Sequence, residues 1–324
     1  MISGIDRVTY GVDDLALCRR FFVDWGLSPA AETASMLAFE TVNGSEVHVH
    51  RHSDKALPPA LESGSTVRSV TWGVEEAADL DRLGATLKGT PGFVQMPESV
   101  SCVDPNGLTL EFRISRKRKT DIRGVPANVY GLPPQRIDAA SPIYERARPV
   151  EIGHVVFFTP NLAEVEAFYL GKLGFVESDR YVGRSLFMRC SVYGGHHDVL
   201  FIQLPNGKRG LNHVAFLVRD IHEVFGGGLH ISRCGWETEI GPGMHPVSSA
   251  YFWYIKCPAG GNIEYYADED QLTPAWKPRQ IETKPENFAE WAIEGGIDGV
   301  SRRQKSGSGA NKPAMAGQAA GAKP

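Results

Sequence analysis

HVVFFTPN, residues 154–161, returns 59 residues later as HVAFLVRD, residues 213–220, and this pair decides how the chain is read. In each copy apolar residues run as in a short strand, and a polar helix-start signal closes the stretch. Two weaker copies, RVTYGVDD from Arg7 and SVTWGVEE from Ser69, share the pattern. Helical spacing follows each one. Cys18, Phe21, Phe22 and Trp25 precede Gly26 after the first copy, and Leu80, Leu83 and Leu87 follow the second. Asn161 and Glu164 stand at capping-box spacing before Val165, Phe168 and Tyr169. Asp220 and Glu223 repeat that cap, and the glycines at 226–228 are expected to end a short helix.

Alternating runs come next: MLAFETV, EVHVHRH, SVSCVD and LTLEFR, then SLFMRCSV, DVLFIQL, SAYFWYIK and NIEYY. The repeating unit is therefore βαβββ, used four times and grouped as two pairs, an α+β fold. The pairs end alike, because DPNGLTLEFR (104–113) and CPAGGNIEYY (257–266) align without a gap. The expected organisation is a first domain over 1–114, a basic, Pro-rich linker over 115–149 and a second domain over 150–270. An extension over 271–299 and a disordered tail over 300–324 complete it.

Composition narrows the function classes. The 324 residues are 42% hydrophobic and 22% charged, as in an ordinary globular protein. A net charge of −4 argues against nucleic acid or an anionic membrane as the main partner. No eighteen-residue apolar run is present, and MISGIDRVTY does not read as a secretory signal. The cysteines (Cys18, Cys102, Cys190, Cys234, Cys257) are odd in number and lack CxxC spacing. A reducing, cytoplasmic setting is expected.

Aligning the modules puts His154 and His213 at one point of the first strand of modules three and four, and Glu264 on the last strand of module four. Two neutral imidazoles and one carboxylate form the facial set that suits non-haem Fe(II), with open positions for other ligands. At the corresponding places the first half has Arg7, Ser69 and Glu111, so no such metal site is expected there. His48, His50 and His52 alternate along one strand face with no evident carboxylate partner, and read as an exposed face.

Through the GHVVFF, NHVAF and IEYY strands, residues 150–268 resemble the vicinal oxygen chelate superfamily (glyoxalase, bleomycin resistance, dioxygenase). The likeness is closest to its type I extradiol ring-cleaving dioxygenases, of the catechol 2,3-dioxygenase and 2,3-dihydroxybiphenyl 1,2-dioxygenase type. It extends loosely over 1–270. It implies two barrel-like domains of paired modules and Fe(II), with Mn(II) as an alternative, on His154, His213 and Glu264. Around the bound catechol it implies His197, with His196 in reserve, together with His245 in the loop GPGMHP and Tyr254. Phe252 and Trp253, or their strand neighbours, are candidates for an apolar wall. The implied reaction is cleavage of a catechol ring beside its hydroxyls by dioxygen, in a protein that is often a homo-oligomer. Two alternatives remain. One is a glyoxalase-like isomerase or lyase, whose fourth ligand would fall near Gln203, and the other is a non-catalytic small-molecule binder.

Overall fold

A computed structural model describes residues 1–304. Its first half runs β1 (Ile2–Val12), α1 (Leu15–Trp25), β2 (Ser28–Glu32), β3 (Met36–Glu40) and β4 (Glu46–Arg51). It continues with β5 (Thr66–Val74), α2 (Ala77–Leu87), β6 (Val94–Met96), β7 (Ser99–Val103) and β8 (Thr109–Ile114). The second half repeats this order with β9 (Glu151–Thr159), α3 (Leu162–Gly171), β10 (Val176–Tyr181), β11 (Ser185–Arg189) and β12 (Val199–Gln203). Then come β13 (Gly210–Leu217), α4 (Ile221–Arg233), β14 (Thr238–Met244), β15 (Tyr251–Lys256) and β16 (Asn262–Ala267). An extension adds β17 (Arg279–Ile281), α5 (Pro285–Phe288) and β18 (Trp291–Glu294). No helix among the described residues is long and apolar enough to cross a membrane.

The duplication read from the sequence is exact in topology. One sheet is ordered β2-β3-β4-β1-β5-β8-β7-β6, and the core of the other is β10-β11-β12-β9-β13-β16-β15-β14. In both, the first strand of one module pairs antiparallel with the first strand of the next. The extension caps both edges of the second sheet, with β17 beside β10 and β18 beside β14. Ten residue steps separate Ile281 from Trp291, a reach of at most about 35 Å. A flat sheet of ten strands would hold its edges about 43 Å apart, so this sheet curls into a cup.

Each helix follows from its sequence. Asp14 and Asn161 accept hydrogen bonds from the backbone N–H three residues on, and Gly26 ends α1 at φ 101°. The helix expected to stop at the glycines 226–228 instead runs on to Arg233. A β-carbon at Gly227 would strike the Tyr265 ring, and one at Gly228 would strike Trp253. These glycines therefore let α4 lie directly on the sheet, and that packing outweighs their poor helix propensity. The halves share one apolar core. Trp25 of α1 stacks on Tyr265 of β16 with centroids 3.5 Å apart, and the Tyr265 hydroxyl donates to the Trp25 carbonyl.

Four short strands (β2, β6, β10 and β14) were absent from the alternating runs. β2 is exposed at all five positions and β6 at all three, so neither has an inward face to impose alternation. The disordered tail expected from residue 300 falls largely on residues 305–324, outside the described residues. Residues 298–304 close a turn with a bridge between Ile297 and Gln304.

A second tie between the halves titrates. Asp104 accepts from the Leu108 N–H at 2.8 Å and from the Tyr169 hydroxyl of α3 at 3.0 Å. Burial pushes its carboxyl up to about 7. From about pH 4 upward the unfolded chain has lost this proton while the folded chain keeps it. This carboxyl therefore makes stability fall as pH rises towards 7, by about 1.4 kcal/mol per unit at most. Asp104→Asn removes the effect. Relative to the parent, its melting temperature is expected to gain between pH 5 and pH 8; an offset independent of pH would contradict the assignment.

Candidate metal centre

Strand register builds the site. Ala215 of β13 lies opposite His154 of β9 on one side and Glu264 of β16 on the other, and Glu264 lies opposite Tyr254 of β15. Side chains two residues apart on a strand share a face, so His213 joins this row. His154 Nε2 is 3.2 Å from Glu264 Oε2 and 3.3 Å from His213 Nε2, and His213 Nε2 is 3.1 Å from Glu264 Oε2. All three residues are buried.

This triangle fits a divalent cation. Bonds of about 2.1 Å at right angles would set neighbouring donor atoms about 3 Å apart. The donor set points the same way. His213 Nδ1 lies 2.6 Å from Asn212 Oδ1, an acceptor, so its hydrogen sits on Nδ1 and its lone pair on Nε2. Burial and the neighbouring His197 push His154 well below the ordinary imidazole range, towards its neutral form. Burial raises the Glu264 carboxyl, but its close contacts with His154 and His213 more than reverse this and leave it well below the usual range. Two imidazole nitrogens and a carboxylate thus converge within the span of one ion. His154 Nδ1 is buried with no hydrogen-bond partner among the described residues.

The triad opens into a cavity of about 700 Å³, within the range of small-molecule sites. His197, His245 and Tyr254 all line it. The His197 ring packs 4.1 Å from that of His154. His196 does not line the cavity; it is completely buried and directed at Asp179. His245, expected in a loop, directly follows β14, which takes in the Gly-Pro-Gly-Met stretch with a register shift between Ile240 and Gly243. His245 Nδ1 donates to the Phe288 carbonyl at 2.7 Å, so its Nε2 accepts from the Tyr254 hydroxyl at 3.1 Å. Burial pushes this imidazole down to about 4 and the Tyr254 phenol well up, which keeps both neutral.

Several sequence expectations change. Phe252 does not line the cavity but stacks behind His245 at 4.0 Å. Trp253 points to the opposite face and donates to Thr238. Gln203 is not a fourth ligand: its Oε1 accepts from the Leu162 N–H and caps α3. His48, His50 and His52 do have carboxylate partners, Glu46, Asp54 and Asp13 respectively, and they form no group with metal-ligand spacing among the described residues. In the first half Arg7 stands in place of an ion, 2.6 Å from Glu46 and 3.9 Å from Glu111.

Glu269 was not read from the sequence. Its carboxylate lines the cavity 3.4 Å from His197 Nδ1. The signal is Gly195, where a β-carbon would collide with that carboxylate. Glu269, His197 and His154 make a second group with metal-ligand spacing, and Asp24, His230 and Cys234 make a third.

Residues 151–265 match the Glyoxalase/Bleomycin resistance protein/Dioxygenase superfamily. It is similar to metapyrocatechase 2 of Cupriavidus necator, 29% identical over 84% of this chain and 82% of the relative. It is also similar to the manganese-dependent 2,3-dihydroxybiphenyl 1,2-dioxygenase of Geobacillus genomosp. 3, 22% identical over 70% and 74% of the two chains. The Mn(II)-bound glyoxalase from Novosphingobium aromaticivorans shares the fold, with a TM-score of 0.71 at 22% identity over 91% and 92% of the chains.

Asn212→Ala removes the acceptor that sets the His213 tautomer. Metal affinity, read by chelator competition, is expected to fall about 10- to 100-fold. Unchanged affinity would place the ion elsewhere.

Proposed function

We propose that the protein is an extradiol dioxygenase that opens the ring of a catechol-type substrate beside its hydroxyls, with both atoms of dioxygen entering the product. The observation that carries this reading is one cavity holding the His154–His213–Glu264 triangle together with His197, His245 and Tyr254. Fe(II) or Mn(II) held by the triangle would supply open coordination positions and a path for electrons between the ring and dioxygen.

The chain's own side chains position the catechol and handle its protons. The Tyr254 hydroxyl, which donates to His245 in this structure, lies where it can donate to a catechol oxygen held beside Glu264. His245, anchored through Nδ1 to Phe288, presents Nε2 to the same end of the cavity. His197, on the far side of His154, is the base for the second hydroxyl, and it returns that proton to an oxygen as the ring opens. Phe187, Leu200, Val247 and Ala250 give the cavity an apolar stretch of wall against which the ring would pack.

The glyoxalase-like reading keeps a specific support, the shared fold with a Mn(II)-bound glyoxalase. Against it, Gln203 is engaged elsewhere and three proton-handling side chains face the cavity. Oxygen uptake separates the two. Anaerobically prepared, iron-loaded protein given a panel of catechols is expected to consume one dioxygen per ring and form a yellow product. His197→Gln is expected to lower kcat by roughly 10²- to 10⁴-fold. Tightly bound metal without uptake on any catechol would sink the dioxygenase reading and favour an isomerase or lyase; a metal-free protein would favour a binder.

A further inference from the structure

His197 does not stand alone at the cavity wall. Behind it His196 is completely buried, with Nε2 2.7 Å from Asp179 Oδ2 and Nδ1 3.3 Å from His197 Nδ1. Asp179 is also completely buried, and Arg279 of β17 ties it down with both its guanidinium and its backbone N–H. The extension that closes the sheet edge thus reaches, through two side chains, to the histidine beside the metal triangle.

For a neutral His197, proton accounting along these side chains has one solution. A carboxylate that pairs with a guanidinium only accepts, so the hydrogen shared with His196 belongs to His196 Nε2. Burial pushes His196 below its ordinary range and keeps it neutral. A neutral imidazole with its hydrogen on Nε2 has a lone pair on Nδ1, and here that lone pair meets His197 Nδ1. His197 must then carry its own hydrogen on Nδ1. Glu269 Oε1, 3.4 Å from the same nitrogen, is a second acceptor that favours the same state. The free lone pair of His197 is left on Nε2, the nitrogen that none of these partners uses.

We propose that Asp179 and His196 are positioning residues that lock His197 in its Nδ1–H tautomer, so that Nε2 is ready to take a proton from a ligand in the cavity. The lock resembles in logic the acid–histidine pair of a hydrolase triad, extended by one imidazole. Its use in ring cleavage rests on the role given to His197 above; the lock itself does not.

The test reads tautomers directly. Two-bond nitrogen–proton NMR correlation on the zinc-loaded full chain, labelled at histidine nitrogens, is assigned with His197→Gln. The parent is expected to show His197 with its hydrogen on Nδ1 and His196 with its hydrogen on Nε2. Asp179→Asn puts an amide donor opposite His196 Nε2, which moves the His196 hydrogen to Nδ1, facing His197. The single His197 tautomer is then expected to be lost. His196→Phe removes this acceptor and leaves only the longer contact to Glu269 Oε1, so His197 is expected in mixed tautomers. In iron-loaded enzyme both variants are expected to lose kcat, by about 10²-fold, with KM for the catechol unchanged. A parent His197 with its hydrogen on Nε2 would overturn the proposal whether or not the variants fold. So would a His197 tautomer unchanged in both variants. A lock present in a protein without oxygen uptake would instead overturn only the dioxygenase reading.

Discussion

A carboxylate placed where water cannot reach needs a positive partner, and the cavity half of this protein is arranged around that requirement. Glu264 is 1% exposed and sits in a row fixed by the pairing of β9, β13, β16 and β15. Slipping one strand by a residue would turn its side chain to the other face of the sheet. The register is therefore part of the site. Two histidines alone, one of them driven neutral by burial, do not supply the charge; a divalent ion between the three donor atoms would. The first half is built differently at this place, with carboxylates that water still reaches. Its equivalent glutamate, Glu111, and its neighbour Glu46 face the permanent cation of Arg7. One architecture thus carries a guanidinium in one copy and a metal triangle in the other.

The extension links this geometry to the cavity. By pairing β17 with one edge of the second sheet and β18 with the other, it holds the cup closed. Between those strands it supplies the Phe288 carbonyl that orients His245, and from β17 it supplies the Arg279 that holds Asp179. The histidines on both sides of the metal triangle are thus braced from a segment that contributes no ligand. Such support matters because proton transfer depends on which ring nitrogen carries the hydrogen.

Much of this was legible in the sequence because repetition exposes what a single copy hides. HVVFFTPN and HVAFLVRD gave the module, the module gave the strand equivalence, and the equivalence put His154, His213 and Glu264 on facing strands. What stayed hidden had physical causes. The edge strands β2 and β6 have no buried face, so their residues do not alternate. The glycines at 226–228 read as a helix stop, because close approach to Trp253 and Tyr265 is invisible in one dimension. Strand order could not tell His196 from His197, because both precede β12 and only the turn before it decides which one faces the cavity. Glu269 and Asp179 lie in charged stretches that look solvent-facing, but Asp179 is held by Arg279, a hundred residues on, and the Glu269 carboxylate lies against His197.

The cavity's chemistry depends on one divalent ion held among His154, His213 and Glu264. Crystallography of the iron-loaded protein, with anomalous differences measured across the iron absorption edge, tests it most directly. A single strong peak is expected within bonding distance of His154 Nε2, His213 Nε2 and Glu264 Oε2. A peak instead at His154, His197 and Glu269, or at Asp24, His230 and Cys234, would contradict it, as would no peak in protein shown to carry iron.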